Sequence, residues 1–379
     1  MALMQSTVTA LVCAYNDEAT IGIVLQALLQ LKYDPPIEIV VVDDASTDRT
    51  AEIVAQYPVK LLRNTENRGL GHNQNLGLSA ATGEYLALVQ SDCEVLGTDW
   101  LNRMVEPFRD EQTAVVVSQR EIQNFASLPL GARLFNAVAP QDLINKTGRV
   151  VRLQYCRGKA DVYRVSTLKE LRGWDSSFFT AGEDTDLSLR LRAKNLRILL
   201  HPQAKIRYLF SSRQSSVLGA LKKGFLYGET AVPLFSRYHY DGIQARTYLL
   251  LIATFVGLQL PFPLIFGLLL FIYSFTCSIQ TRKSWSIPFG VLACAGALPF
   301  LYEAQGNIKS ILPTLPAKSI LAGGSIYLLY LAAMNTFRNW RSGERLIWLP
   351  VTFVFCVCWR LISGVGYLVG LLKRITGRS

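Results

Sequence analysis

Carboxylates recur in this sequence at the points where short apolar runs stop. Val8–Cys13 leads into Ala14-Tyr15-Asn16-Asp17-Glu18, Ile37–Val42 into Asp43-Asp44-Ala45-Ser46-Thr47-Asp48, and Tyr85–Val89 into Gln90-Ser91-Asp92. A further acidic group, Gly182-Glu183-Asp184-Thr185-Asp186, stands later in the chain. Hard divalent cations want oxygen ligands, and a carboxylate at the carboxyl end of a strand can hold such an ion against a phosphate. Plainer roles compete. Asp92 also fits as the cap of a following helix, and Glu183, Asp184 and Asp186 fit as first-turn acids matched to a helix dipole.

The elements that must position these groups can be read from periodicity. A continuous apolar run such as Ile37–Val42 is the pattern of a parallel strand buried on both faces. Strands are expected at Val8–Cys13, Ile37–Val42, Val59–Leu62 and Tyr85–Val89. Helices are expected from Thr20 to Leu31, with Ile21, Leu25, Leu28 and Leu29 on one face, from near Thr50, and from His72 to Ala81. This alternation implies an α/β fold with a mostly parallel sheet. The carboxyl ends of such strands share one edge, so the loops at Tyr15, Asp43-Asp44 and Asp92 converge. Further on, Ala114–Ser118 reads as a strand, and Leu128–Lys146 mixes helical and loop signals. Gln154–Asp161 re-enters the sheet, and Gly173-Trp174-Asp175 turns toward an amphipathic helix that begins at the 182–186 acids. Gly69-Leu70-Gly71 is too short for a dinucleotide fingerprint.

Charge is unevenly placed along the 379 residues. The net charge is +11, yet residues 246–379 hold 12 Lys+Arg against 2 Asp+Glu. These basic residues flank hydrophobic runs, which points to a membrane surface rather than to nucleic acid. The first 14 residues lack a basic start, so no secretory signal is expected and the first part should stay in the cytosol. Seven cysteines with no CxxC pair exclude a zinc framework by spacing. Cys13, Cys93 and Cys156 are expected to be reduced, and Cys356 and Cys358 to lie in an apolar segment. His72, His201 and His239 are too scattered for a histidine metal site.

The apolar part divides into Tyr248–Ser278, split by Pro261-Phe262-Pro263, and then 286–302, 319–336 and 346–372. Roughly 20 residues span a bilayer core, which gives four to five membrane segments. Arg282-Lys283 and the Arg338–Arg345 loop should both be cytosolic, which favours a hairpin at the prolines over one long helix. Arg360 should face protein or a headgroup. Gln214–Ser236, with Lys222, Lys223, Phe225, Leu226 and Tyr227, reads as a basic amphipathic stretch on the bilayer surface.

Taken together, residues 7–210 resemble the family 2 glycosyltransferases of the GT-A fold. The resemblance rests on the order and spacing of Ala14-Tyr15-Asn16-Asp17-Glu18, Asp43–Asp48, Asn67-Arg68-Gly69, Gly83-Glu84-Tyr85, Ser91-Asp92 and Gly182–Asp186 with Arg190. The tail, with Trp359, Gly364, Gly366-Tyr367 and Gly370 ahead of Lys373, is similar to the membrane region of succinoglycan-type polysaccharide glucosyltransferases. The resemblance implies three parts: a GT-A catalytic domain at 1–210 (Rossmann-like, mostly parallel sheet), an interfacial segment at 211–246, and an α-helical transmembrane region at 247–379.

By the same resemblance, Tyr15 and Asp17 line the nucleotide pocket, and Asp44 accepts a hydrogen bond from the base, typically uracil N3–H. Ser91 and Glu183 also contact substrate, Asp92 binds the Mg²⁺ or Mn²⁺ that bridges the diphosphate, and Asp184 is the general base of an inverting transfer. Two departures stand out. The usual Asp-x-Asp is Gln90-Ser91-Asp92, and the usual Ala-Arg-Asn is Asn73-Gln74-Asn75. The absence of Gln-x-x-Arg-Trp implies single addition rather than processive synthesis. The expected partners are a nucleotide-sugar donor, a lipid-linked saccharide acceptor and membrane lipids, with no nucleic acid. The expected location is the plasma (inner) membrane, with the catalytic domain cytoplasmic. Two alternatives stay open. One is a polyprenyl-phosphate glycosyltransferase, whose acceptor needs no base; the other is a catalytically silent nucleotide-sugar-binding membrane scaffold.

Overall fold

The computed structural model describes residues 6–121, 128–138, 147–179, 181–209 and 216–238, together with Asn145 and helical positions within 355–373. The first four strands are β1 (Val8–Ala14), β2 (Glu38–Asp43), β3 (Lys60–Arg63) and β4 (Tyr85–Val89), and they pair in parallel in the order β3-β2-β1-β4. Helices α1 (Ile21–Leu29), α2 (Thr50–Val54) and α3 (Leu70–Ala80) connect them.

The pleat explains why β1 is apolar throughout. Its Val8, Ala10, Val12 and Ala14 pack with Ile21, Val24, Leu25 and Leu28 of α1 on one face. Leu11 and Cys13 pack with Leu78 of α3 and with Leu187 and Leu191 of a later helix on the other. Each fully buried Leu or Ile contributes about 1.5–3 kcal/mol, so burial on both faces fixes the height of the strand and of the loop after it.

The second half departs from the parallel expectation. The elements are β5 (Cys93–Leu96), α4 (Trp100–Val105), a 3₁₀ turn at Glu106–Arg109, β6 (Thr113–Arg120), α5 (Leu130–Val138), β7 (Val151–Leu153) and β8 (Ala160–Arg164). They continue with α6 (Val165–Glu170), α7 (Glu183–Ala193), β9 (Arg197–Tyr208) and α8 (Val217–Tyr238). The sheet runs on as β8-β6-β9-β5, with β7 also paired to β9. β8 is antiparallel to both β4 and β6, and β5 and β7 are antiparallel to β9, whereas β6 and β9 are parallel. The sheet is therefore mixed rather than mostly parallel. An apolar strand buried on both faces shows the same pattern in either direction, so sequence could not reveal the reversal.

Asp92 is followed directly by β5, so it caps no helix. The stretch Gln154–Asp161 contributes only its end to the sheet, as the start of β8.

Helix α8 coincides with the segment read as interfacial. Lys222 and Leu218 are exposed, but the far end of the helix docks on the catalytic fold. Arg237 pairs with Asp175, and the Tyr238 hydroxyl donates to Asp186 Oδ1. α8 also meets the helical positions within 355–373 at backbone distance. A Cβ on Gly228 would lie 1.9 Å from the Ser363 carbonyl oxygen, and one on Gly366 would lie 2.0 Å from that of Phe225. Lys373 pairs with Glu229 at 2.7 Å. The segments expected at Tyr248–Ser278, 286–302 and 319–336, the Pro261–Pro263 turn, the two basic loops and Arg360 lie outside the described residues. Among the described residues no helix is long and apolar enough to cross a membrane.

Candidate active site

The carboxyl ends of β1, β2 and β4 bring three of the polar loops together. Asp17 Oδ2 accepts the Tyr15 N–H at 3.0 Å and the Ser91 hydroxyl at 2.6 Å. The Asn16 N–H donates to Ser46 Oγ, and Asn16 Oδ1 accepts the Thr47 N–H, which joins the first loop to the second. Tyr15 stays 38% exposed, open to a ligand. Burial pushes the Asp17 carboxyl up, against the pull of the Ser91 and Tyr15 donors.

Asp44 is turned inward. Its Oδ1 accepts from Asn64 Nδ2 and from the Arg68 N–H, each at 2.8 Å, and its Oδ2 accepts the Gly69 N–H at 3.0 Å. A carboxylate offers about four acceptor positions, so one remains on Oδ2 for a ligand donor. The Asn64 amide also donates to Asn73 Oδ1 at 2.7 Å. Asn75 bonds the Trp174 backbone in both directions, at 2.7 and 2.9 Å. The Asn73-Gln74-Asn75 segment thus holds the loops on either side of it. An open concavity lined by Ala45, Ser46, Arg63, Asn64 and Thr65 lies beside Asp44.

The acids at 183–186 separate into three roles. Asp186 is structural: it pairs with Arg190, whose guanidinium also donates to the carbonyls of Leu171 and Gly173. Glu183 is only 4% exposed, and its Oε2 lacks a hydrogen-bond partner. Burial, then the neighbouring Asp184, pushes its carboxyl up to about 8. Asp184 is more open, and its Oδ1 accepts the Thr185 N–H at 2.6 Å and hydroxyl at 3.3 Å. Burial raises Asp184 as well, so dipole matching alone does not describe this group. The Thr185 donors and the Lys159 charge work against that rise at Asp184, and the same Lys159 charge works against it at Glu183.

Between Asp92 and Asp184 stands the loop before β8, which sequence reasoning missed. Lys159 Nζ lies 3.1 Å from both oxygens of Asp92. Gly158 adopts φ +58°, and a Cβ there would come within 3.4 Å of Asp184 Cβ, so the loop passes close against the acid. Buried Asp161 pins it by accepting the Arg157 and Gly158 N–H groups at 2.9 and 2.8 Å. A lone Lys just before an apolar run carries no signal of its own in sequence. Tyr227 of α8 was also missed as a site residue. Burial raises its hydroxyl, and the charges of Lys159, Asp184, Glu183 and Asp92 all act on it, so α8 overlooks the same cleft.

Among the described residues no three His, Cys, Asp or Glu side chains cluster in a way that could hold a metal ion. The donor set still fits Mg²⁺ or Mn²⁺ in one form. Mg²⁺ is commonly held by one or two carboxylates plus substrate phosphates, and Asp92 supplies one carboxylate.

Residues 9–164 match the family model described as Glycosyl transferase family 2. Residues 100–303, more than half of the chain, match Glycosyl transferase family group 2. Poly-beta-1,6-N-acetyl-D-glucosamine synthases from Staphylococcus epidermidis and from Staphylococcus aureus strain COL are 26% identical over 209 and 211 residues. Each match covers 52% of this chain and 48% of the relative, so the chain spans about half the length of the curated relatives it matches. The fold is similar to that of the mannosyltransferase PcManGT from Pyrobaculum calidifontis, solved with GDP-Man and Mn²⁺. That superposition has a TM-score of 0.54 at 20% identity and covers 96% of this chain and 87% of the other.

Proposed function

Because the chain belongs to glycosyl transferase family group 2 and is a glycosyltransferase, we propose that it transfers a sugar from UDP to a lipid-linked saccharide, with inversion. The reading rests on one observation. Asp92 and Asp184 both lie against the Gly158-Lys159 loop, Asp92 at Lys159 and Asp184 at Gly158, with Asp17 tied to the Asp92 side through Ser91.

On the donor side, Tyr15 and Asp17 border the nucleotide, and the open position on Asp44 Oδ2 takes the uracil N3–H. Asp92 would hold Mg²⁺ or Mn²⁺, which when bound offsets charge developing on the departing diphosphate. On the acceptor side, Asp184 takes the proton of the attacking hydroxyl. That oxygen bonds to the anomeric carbon as the bond to the diphosphate breaks, and the diphosphate leaves with the electron pair. A single displacement turns an α-linked donor into a β-linked product. Glu183 stands beside that base and contacts substrate, its buried Oε2 having no hydrogen-bond partner among the described residues.

The relatives' names as polysaccharide synthases support polysaccharide or glycoconjugate synthesis, and the mannosyltransferase with GDP-Man and Mn²⁺ supports a nucleotide-sugar donor and a divalent ion. The missing Gln-x-x-Arg-Trp supports single addition. The basic, apolar residues 247–379 support an inner-membrane protein with its catalytic domain on the cytoplasmic face. A screen of nucleotide-sugars with the purified full chain, scoring hydrolysis and transfer to lipid extracts, tests the proposal. UDP-sugar turnover with a β-linked product is the expected result; turnover of no UDP-sugar would overturn it.

A further inference from the structure

We infer that Lys159 is a built-in counter-ion for Asp92 that releases this carboxylate when a nucleoside diphosphate arrives, so that donor and divalent cation load together. The half of this inference that concerns the diphosphate rests on the donor reading above.

The geometry is that of a guard. The ammonium sits in the bite of the Asp92 carboxylate, equidistant from both oxygens, where a divalent ion would be held. The lysine side chain is 31% exposed and the aspartate side chain 15%, so the pair is partly desolvated and its attraction only partly screened. Two backbone features keep Lys159 there. The Gln90 N–H donates to the Lys159 carbonyl at 2.8 Å, which extends the β4–β8 pairing to within two residues of Asp92. Asp161 fixes the Arg157-Gly158 turn from below, and the Tyr163 hydroxyl donates to the same oxygen at 3.3 Å.

Charge then decides the order of events. Position 90 carries a neutral amide, so Asp92 is the one acid of its motif, and Lys159 cancels its charge. A neutral pair offers a dication little until a diphosphate brings further negative oxygens. The same diphosphate offers the ammonium a new partner: Lys has three donors on a flexible four-carbon stem and can swing from carboxylate to phosphate. The ammonium then no longer fills the bite of the Asp92 carboxylate, and the ion can take its place.

The test is binding, not turnover. Mn²⁺ titrations of the full chain in detergent, followed by the loss of the free-ion electron paramagnetic resonance signal, should show weak binding alone and at least about tenfold tighter binding with UDP. Lys159→Met should bind Mn²⁺ alone about tenfold more tightly than wild type and UDP without metal about tenfold more weakly. Lys159→Arg, which keeps the charge, should stay near wild type. The reciprocal variant reads the same pair from the other side and needs no lysine substitution: Asp92→Asn should bind UDP more tightly than wild type when metal is absent, because Lys159 is released. Unchanged Mn²⁺ affinity in Lys159→Met, or unchanged metal-free UDP affinity in Asp92→Asn, would overturn the inference. If wild type binds neither UDP nor GDP, the donor reading fails instead, and the arm with Mn²⁺ alone still judges the guard.

Discussion

Ser91 donates its hydroxyl proton to Asp17 Oδ2 at 2.6 Å, tying the loop after β4 to the loop after its parallel neighbour β1. Burial raises the Asp17 carboxyl, and the Ser91 donor is the largest of the effects that lower it. Hydrogen bonds to charged groups are worth about 1.5–3 kcal/mol, so Ser91→Ala should weaken UDP binding by roughly tenfold or more. Calorimetry with UDP measures this directly. Unchanged affinity would remove Asp17 from the nucleotide pocket.

The metal assignment separates two neighbours. Asp92→Asn should abolish turnover and sharply weaken UDP binding in the presence of Mn²⁺, whereas Gln90→Ala should do much less, since its amide contributes no charge. Parallel calorimetric titrations with Mn²⁺ decide it, and equal metal-dependent binding by wild type and Asp92→Asn would rule Asp92 out as the ligand.

Asp184→Asn preserves shape and keeps an oxygen for the Thr185 donors, but cannot accept the acceptor's proton. Transfer should fall by ~10²-fold or more, the usual scale of a lost acid–base catalyst. Folding and UDP affinity should stay near wild type, because Asp17 and Asp92 are untouched. Near-normal transfer rates would favour an acceptor that needs no base, such as a polyprenyl phosphate.

Glu183 should make stability depend on pH. Its carboxyl is pushed from an ordinary 4.5 up to about 8, so the folded protein keeps a proton that the unfolded chain releases in that window. The associated stability is full below the unfolded value, declines as pH rises toward about 8, and is level beyond it. Glu183→Gln removes that decline. Thermal unfolding of both proteins without added metal, across this pH range, should give a steeper fall for wild type. Parallel curves would mean that Glu183 is ionised in the folded state.

How much of this was legible in sequence depended on whether a residue's signal was local. The runs that became β1, β2 and β4 were readable because strands buried on both faces must be apolar at every position. Their ends, and hence Asp17, Asp44 and Asp92, followed. β5 and β9 were missed for different reasons. Cys93–Leu96 is too short to show a period, and the alternation along β9 is broken where Leu200, His201 and Pro202 are buried in succession. The roles of Asp44 and Asn75 were hidden because their partners lie 24–25 and 99 residues away. Lys159 was hidden for the same reason: its partner Asp92 is 67 residues back, and only the reversed pairing of β4 with β8 brings them together.

The glycine contacts between α8 and positions 363–370 also bear on when the enzyme is completed during its synthesis. Residues 217–238 leave the ribosome well before 355–373 do, and at about 5–20 residues per second the interval is on the order of ten seconds. Throughout that interval the Ser363 and Tyr367 backbone that meets Gly228 of α8 has not been made, while the other end of α8 already has Asp175 and Asp186 to dock against. Tyr227 adjoins Gly228, so its surroundings are completed only when positions 363–370 have been made. A nascent chain can fold its sheet and the loops at the strand ends early and still wait for positions 363–370 before α8 is fully packed.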